Sequence, residues 1–218
     1  MNSYLPMGTA EKKLWDEAIN IYDELLDELK SKNMIRLNTI NVDRKRLSKL
    51  WINTSEIGKA YNEFLKIFTS DKTAQEFSEK TGLSESTVVQ TFLTNLVGFT
   101  LIQYESVFKT SLLFFLEEDN GIRRKSTLTE LLIKIEKICP SSGPKLRKLL
   151  DTELRNSLAH GTCWVENKTI VLADNSYLQN IRRLSLAEFM IESKKVNVIA
   201  HSFTFTLVKK INEGFFKP

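Results

Sequence analysis

Leu149-Leu150-Asp151-Thr152-Glu153-Leu154-Arg155-Asn156-Ser157-Leu158-Ala159-His160-Gly161 is the stretch around which this chain reads as organised. Leu150, Leu154 and Leu158 recur four apart, the spacing of one apolar helix stripe. Arg155, Asn156 and His160 occupy other sides of that helix. Asn156 and His160 are i and i+4 and share a face. His160 falls in the last turn, just before a glycine, where the carbonyl end of the helix favours a cation. Histidine is the side chain whose ordinary titration lies near neutral pH, so it can give or take a proton there. Arg155 and His160 are about 140° apart on an ideal helix. One chain does not bring them tightly together: either the long arginine swings across or a second subunit completes the constellation, and the second subunit is favoured.

Upstream, Pro140-Ser141-Ser142-Gly143-Pro144 is the clearest break in the chain. The motif helix is predicted to start near Pro144, an allowed first-turn position, and to run through Leu146 and Leu149. Before the break, residues 127–139 read as a helix with Leu128, Leu131, Leu132 and Ile135 on one face. Thr127 and Glu130 fit a capping box. Residues 84–118 are helical and aromatic-rich, as one long helix or two broken near Gly98, ended by Asp119-Asn120-Gly121. Glu105 and Lys109 lie four apart on that stretch and can pair. Arg123, Arg124 and Lys125 then open a basic connection.

Nearer the N-terminus, residues 9–32 form a helix that Thr9 can cap, with Leu14, Ala18, Ile21, Leu25 and Leu29 inside. Residues 31–45 read as a short strand or extended connection. Arg44, Lys45, Arg46 and Lys49 are the densest basic run, read as a solvated helix face rather than a phosphate contact. Residues 54–69 form a further helix with Tyr61, Phe64, Leu65 and Phe68 inside. Residues 71–96 resemble a helix-turn-helix, with Gly82 in the turn and Ser84 capping the second helix. That second helix, residues 85–95, has no Lys or Arg, which counts against reading DNA.

Downstream of Gly161 the period changes to two. Cys163-Trp164-Val165 and residues 169–172 flank Glu166-Asn167-Lys168 as a small hairpin. Ser185 and Glu188 fit another capping box. It opens a long helix to about residue 212 that holds His201 as a packed or surface residue.

The 218 residues are 42% hydrophobic and 27% charged, with net charge +4, enough apolar content for one large domain, alone or with a small appendage. The mild basicity permits contact with nucleic acid without a polybasic coat. Cys139 and Cys163 stand far apart without CxxC or histidine neighbours and read as reduced thiols. No HExxH, P-loop, GxSxG or carboxylate cluster is present, so no metal or cofactor is expected. Met1-Asn2-Ser3-Tyr4-Leu5-Pro6-Met7 lacks the signal-peptide pattern, and no apolar run approaches the ~20 residues that span a bilayer. A cytoplasmic location without membrane contact is the expectation.

Arg155-Asn156-Ser157-Leu158-Ala159-His160-Gly161, followed by a hairpin and a capped C-terminal helix, resembles the HEPN domain family. Its signature is Arg, a polar residue (often Asn), three variable residues and His. The resemblance covers about residues 84–216. It implies an all-α helical bundle, here with a small β-hairpin after the motif helix and an N-terminal helical extension. Residues 1–83 are then an N-terminal helical region leading into the helix-turn-helix-like corner, and residues 84–218 the HEPN-like domain. It also implies a metal-independent endoribonuclease of the kind found in toxin–antitoxin, defence and RNA-processing systems. Such an enzyme acts as a homodimer on RNA, with an antitoxin or regulatory protein as a further partner. Arg155, Asn156 and His160 are the catalytic candidates, and Glu105 and Lys109 supporting ones. Two rivals stand beside this reading: a catalytically silent module of the same fold that binds RNA or protein, and a helix-turn-helix DNA-binding regulator.

Overall fold

The computed structural model describes residues 8–35, 44–68, 71–116, 126–166, 169–173 and 181–216. The predicted connection at 36–43, the helix stop at 119–121, the basic connection at 123–125 and the hairpin turn at 167–168 lie outside them. So do the side chains of the basic run Arg44, Lys45, Arg46 and Lys49.

The chain is mostly helical, with a small three-stranded antiparallel sheet beside its C-terminal helix. That last helix, Leu186–Asn212, opens with the expected capping box. The Ser185 hydroxyl accepts from the Glu188 N–H at 3.3 Å, and the Glu188 carboxylate accepts from the Ser185 N–H at 2.8 Å. Its apolar residues Phe189, Val196, Ile199, Phe203 and Leu207 are buried, and helices collect around it. Helix α1 (Thr9–Ser31) lies along it through Ala18, Ile21, Tyr22, Leu25, Leu26 and Leu29. The Tyr22 and Phe203 rings meet edge to face at 4.8 Å, and the Tyr22 hydroxyl donates to the Ile199 carbonyl at 2.9 Å. Each fully buried leucine in this seam contributes roughly 2 kcal/mol of transfer free energy. Thr9 does not cap α1: Gly8 occupies the cap position without any side-chain bond, and Thr9 is already inside the first turn. The helix ends where Asn33 takes a left-handed φ of 57°, a conformation asparagine tolerates.

Helix α2 (Arg44–Phe68) starts nearly three turns before the expected start at residue 54 and takes in the basic run. Arginine, lysine and leucine are all strong helix formers, so the helix needs no apolar periodicity to extend through them. Helix α3 (Asp71–Thr81) turns at Gly82, whose φ is +70°, into α4 (Glu85–Ile102). Ser84 caps α4 by accepting from the Thr87 N–H at 3.2 Å. No break occurs at Gly98. The chain runs on through a π-helical turn, Gln103–Lys109, into α5 (Thr110–Phe115). The wider π turn leaves acceptors that hydroxyls take up: Thr110 donates to the Glu105 carbonyl at 2.9 Å and Ser111 to that of Val107.

Helix α6 (Leu128–Ile138) carries its expected capping box from Thr127 and Glu130. After the Pro-Gly break the structure departs from the single motif helix read from sequence. A short helix α7 (Gly143–Leu149) comes first; Leu150 is extended, and a separate helix α8 (Thr152–Ala159) carries the motif. Asp151 makes the division. Its carboxylate accepts from the Leu154 N–H at 2.8 Å, an N-cap that competes with continuing the helix. The sheet is β1 (Cys163–Glu166), β2 (Thr169–Leu172) and β3 (Arg182–Ser185), in that order. The expected hairpin is thus joined by a third strand, which pairs Ile170 with Leu184 and leads into the last helix, α9 (Leu186–Asn212). Among the described residues no helix is long and apolar enough to cross a membrane.

Candidate functional site

Helix α8 has only eight residues, too few to hold its own shape in water, so its neighbours must fix both ends. At its start, the Asp151 carbonyl accepts from the buried Tyr104 hydroxyl at 3.0 Å. Burial, together with the charge of Asp151, pushes the Tyr104 phenol well above its ordinary range, so it stays a donor. The second Asp151 carboxylate oxygen takes Arg182 of β3 at 2.8 Å. At its end, the Ser157 and Thr162 hydroxyls donate to the Ala173 carbonyl at 2.6 and 2.8 Å, and the Ala173 N–H returns to the Thr162 carbonyl at 2.9 Å. The sheet therefore holds the C-terminal end of the motif helix.

Between these anchors lies Arg155. Sequence spacing puts it off the leucine stripe, yet it is 5% exposed, as buried as Leu158. A charge this deep needs partners. Glu105 of the π turn supplies them: one carboxylate oxygen accepts from Arg155 Nε at 2.7 Å and also from Nη2. Its other oxygen takes Lys109 Nζ at 2.8 Å. Burial alone raises the Glu105 carboxyl. The hydrogen bonds and charges of Lys109 and Arg155 outweigh it and hold the group below the usual carboxylate range. The Glu105–Lys109 pair seen in the sequence thus exists and continues into the motif as a Lys109–Glu105–Arg155 chain.

Arg155 Nη1 donates to Asn156 Oδ1 at 3.1 Å, and Thr129 of α6 donates to the same oxygen at 3.0 Å. Arginine carries five N–H donors. The bonds to Glu105 and Asn156 use three and leave one on each terminal nitrogen. His160 is exposed at the C-cap of α8, ahead of Gly161 with its φ of +66°. Its N–H bonds to the Asn156 carbonyl at 2.9 Å, a main-chain contact. No hydrogen bond joins the side chains of Asn156 and His160. So the structure gathers Arg155, Asn156, Glu105 and Lys109 into one cluster and leaves the His160 imidazole at the surface beyond it.

Sequence reasoning missed Tyr104, Asp151, Thr129 and Arg182. Asp151, followed by Thr152 and Glu153, carried a legible N-cap signal. Thr129 and Arg182 had none, because their partners are distant in the chain. His201 is packed as expected: its ring lies against Gly58 of α2, and its Nε2 is buried without a partner. Burial pulls its pKa down to about 4. Among the described residues, no three His, Cys, Asp or Glu side chains are gathered to hold a metal ion. No protein family, curated protein or solved structure matches this chain.

Proposed function

We propose that this protein is a metal-independent endoribonuclease of HEPN type, acting as a homodimer. The observation that carries the reading is the Arg155 arrangement: a buried arginine locked in one orientation, beside an amide, in the middle of a short helix that ends at an exposed histidine. RNA brings its own nucleophile. The 2′-oxygen attacks the adjacent phosphorus as its proton leaves to a base, and the bond from phosphorus to the 5′-oxygen breaks as that oxygen takes up a proton. The products are a 2′,3′-cyclic phosphate and a 5′-hydroxyl. Tethering the nucleophile removes most of the entropic cost. His160 moves the proton as general base or acid. Arg155, oriented in advance by Glu105, offers its remaining N–H groups to the charge that grows on the phosphoryl oxygens. Asn156, whose side chain makes no hydrogen bond to His160, holds substrate. Lys109 adds positive charge beside them. The buried guanidinium and the surface imidazole suit a site completed by the same helix of a second copy. A toxin–antitoxin, defence or RNA-processing role, with an antitoxin or regulator as partner, follows from the family resemblance.

One observation favours a second reading, a binding module that does not cleave. Arg155 is already occupied by Glu105 and Asn156, as a purely structural arginine is. The test is end-labelled single-stranded RNA incubated in EDTA with wild type and His160→Ala. Cleavage by wild type only, leaving cyclic-phosphate ends, supports the enzyme. RNA binding by both proteins without cleavage supports the module.

A further inference from the structure

Asn156 Oδ1 has two donors on it. Arginine can only donate, so the amide atom that faces Arg155 Nη1 at 3.1 Å has to be the oxygen. The Thr129 hydroxyl reaches that same oxygen at 3.0 Å from the first turn of α6. Both lone pairs of Oδ1 are then in use. The amide nitrogen makes no hydrogen bond among the described residues, and it is not one of the buried polar atoms left without a partner. The amide nitrogen is therefore accessible to solvent, beside Arg155 and on the helix that ends at His160. Thr129 is itself fixed: the capping box of Thr127 and Glu130 sets the first turn of α6.

We infer that Thr129 is a positioning residue, which holds the Asn156 amide with its N–H groups outward to receive an acceptor oxygen of the RNA phosphate. This rests on the ribonuclease reading. Arg155 alone leaves the amide free to swing about its long axis while keeping one bond. The second donor, from a different helix, removes that freedom. A substrate oxygen then meets a donor whose orientation was settled on folding.

The test is a double-mutant cycle on kcat/KM for single-stranded RNA in EDTA, with Thr129→Val, Asn156→Ala and the pair. Losing one hydrogen bond of ordinary strength corresponds to about a tenfold change. Thr129→Val is expected to lower kcat/KM about tenfold in the wild-type background and to add nothing once Asn156 is alanine. Thr129→Ser, which keeps the hydroxyl, recovers most of the rate, and Thr129→Ala gives an independent deletion should valine misfold. Thermal melting of each variant checks that the fold is retained. Equal rates for Thr129→Val and wild type, or an undiminished loss in the Asn156→Ala background, overturn the role given to Thr129 and leave the ribonuclease reading standing. No cleavage by wild type overturns the ribonuclease reading and this role with it.

Discussion

Glu105 and Arg155 are fifty positions apart in the chain, and the buried guanidinium of one rests on a single carboxylate oxygen of the other. The contact joins the π turn to the motif helix, and removing either partner strands the other. Glu105 is partly exposed, so water softens the loss. Glu105→Ala is expected to lower the unfolding free energy by about 2 kcal/mol, and Glu105→Gln, which keeps an acceptor, by about 1 kcal/mol. Urea unfolding of the three proteins measures this. Equal stabilities would show that the pair contributes nothing to the fold.

Asp151 does two jobs with its two carboxylate oxygens, capping α8 and holding Arg182. Asp151→Asn keeps the cap and weakens the ion pair, whereas Asp151→Ala loses both. The expected costs are about 0.5 and about 1.5 kcal/mol. A cap role predicts more: amide exchange in residues 152–159 accelerates in the alanine variant and much less in the asparagine one.

His201 stays neutral in the folded chain because burial holds its pKa near 4, while unfolding returns it to the ordinary value of about 6.5. The unfolded state therefore binds the extra proton first as pH falls. The stability at stake is complete above about pH 6.5 and drains away toward pH 4. The residue keeps partial solvent exposure, so the loss is set at about 2 kcal/mol. His201→Leu should flatten the stability curve across that window. Glu105, whose folded pKa is lowered, gives up its stability only below the usual carboxylate range, so the two contributions separate along the pH axis. A His201→Leu curve that keeps the wild-type slope between pH 6.5 and 4 would count against the assignment.

Gly143 sits where α7 doubles back on α6, and a Cβ there falls 2.5 Å from the Glu136 Cα. The obstacle is backbone, which cannot swing aside. Gly143→Ala is expected to cost about 2–3 kcal/mol and to lower the melting temperature accordingly. Gly82→Ala meets no atom within 4 Å and is penalised only by its positive φ, by about 1 kcal/mol. Equal shifts for the two would remove the steric argument.

His160 is exposed and its side chain has no partner among the described residues, so His160→Ala should unfold within about 0.5 kcal/mol of wild type. A large destabilisation would mean that the imidazole is a structural group.

Helix existence and most caps, though not that expected from Thr9, were legible along the chain because both depend on neighbours within four residues. Thr127 with Glu130, Ser84 with Thr87, and Ser185 with Glu188 form as their spacing indicates. The leucine stripe around the motif was equally local, and so was the Glu105–Lys109 pair. The third strand and the burial of Arg155 were not, and the split at Asp151 was legible only as a local cap signal. Arg182 to Ser185 is a strand because Ile170 and its neighbours pair with it. Asp151 ends one helix and starts another with Tyr104 and Arg182 holding it from other elements. Arg155 looks like a surface cation in any helical projection. It is buried because a carboxylate fifty residues away supplies the compensating charge, and only the packing of the π turn against α8 brings the two together. Local spacing determined which helices form. Tertiary contact decided which polar residues could leave water, since a buried charge is tolerated only where another element brings its partner.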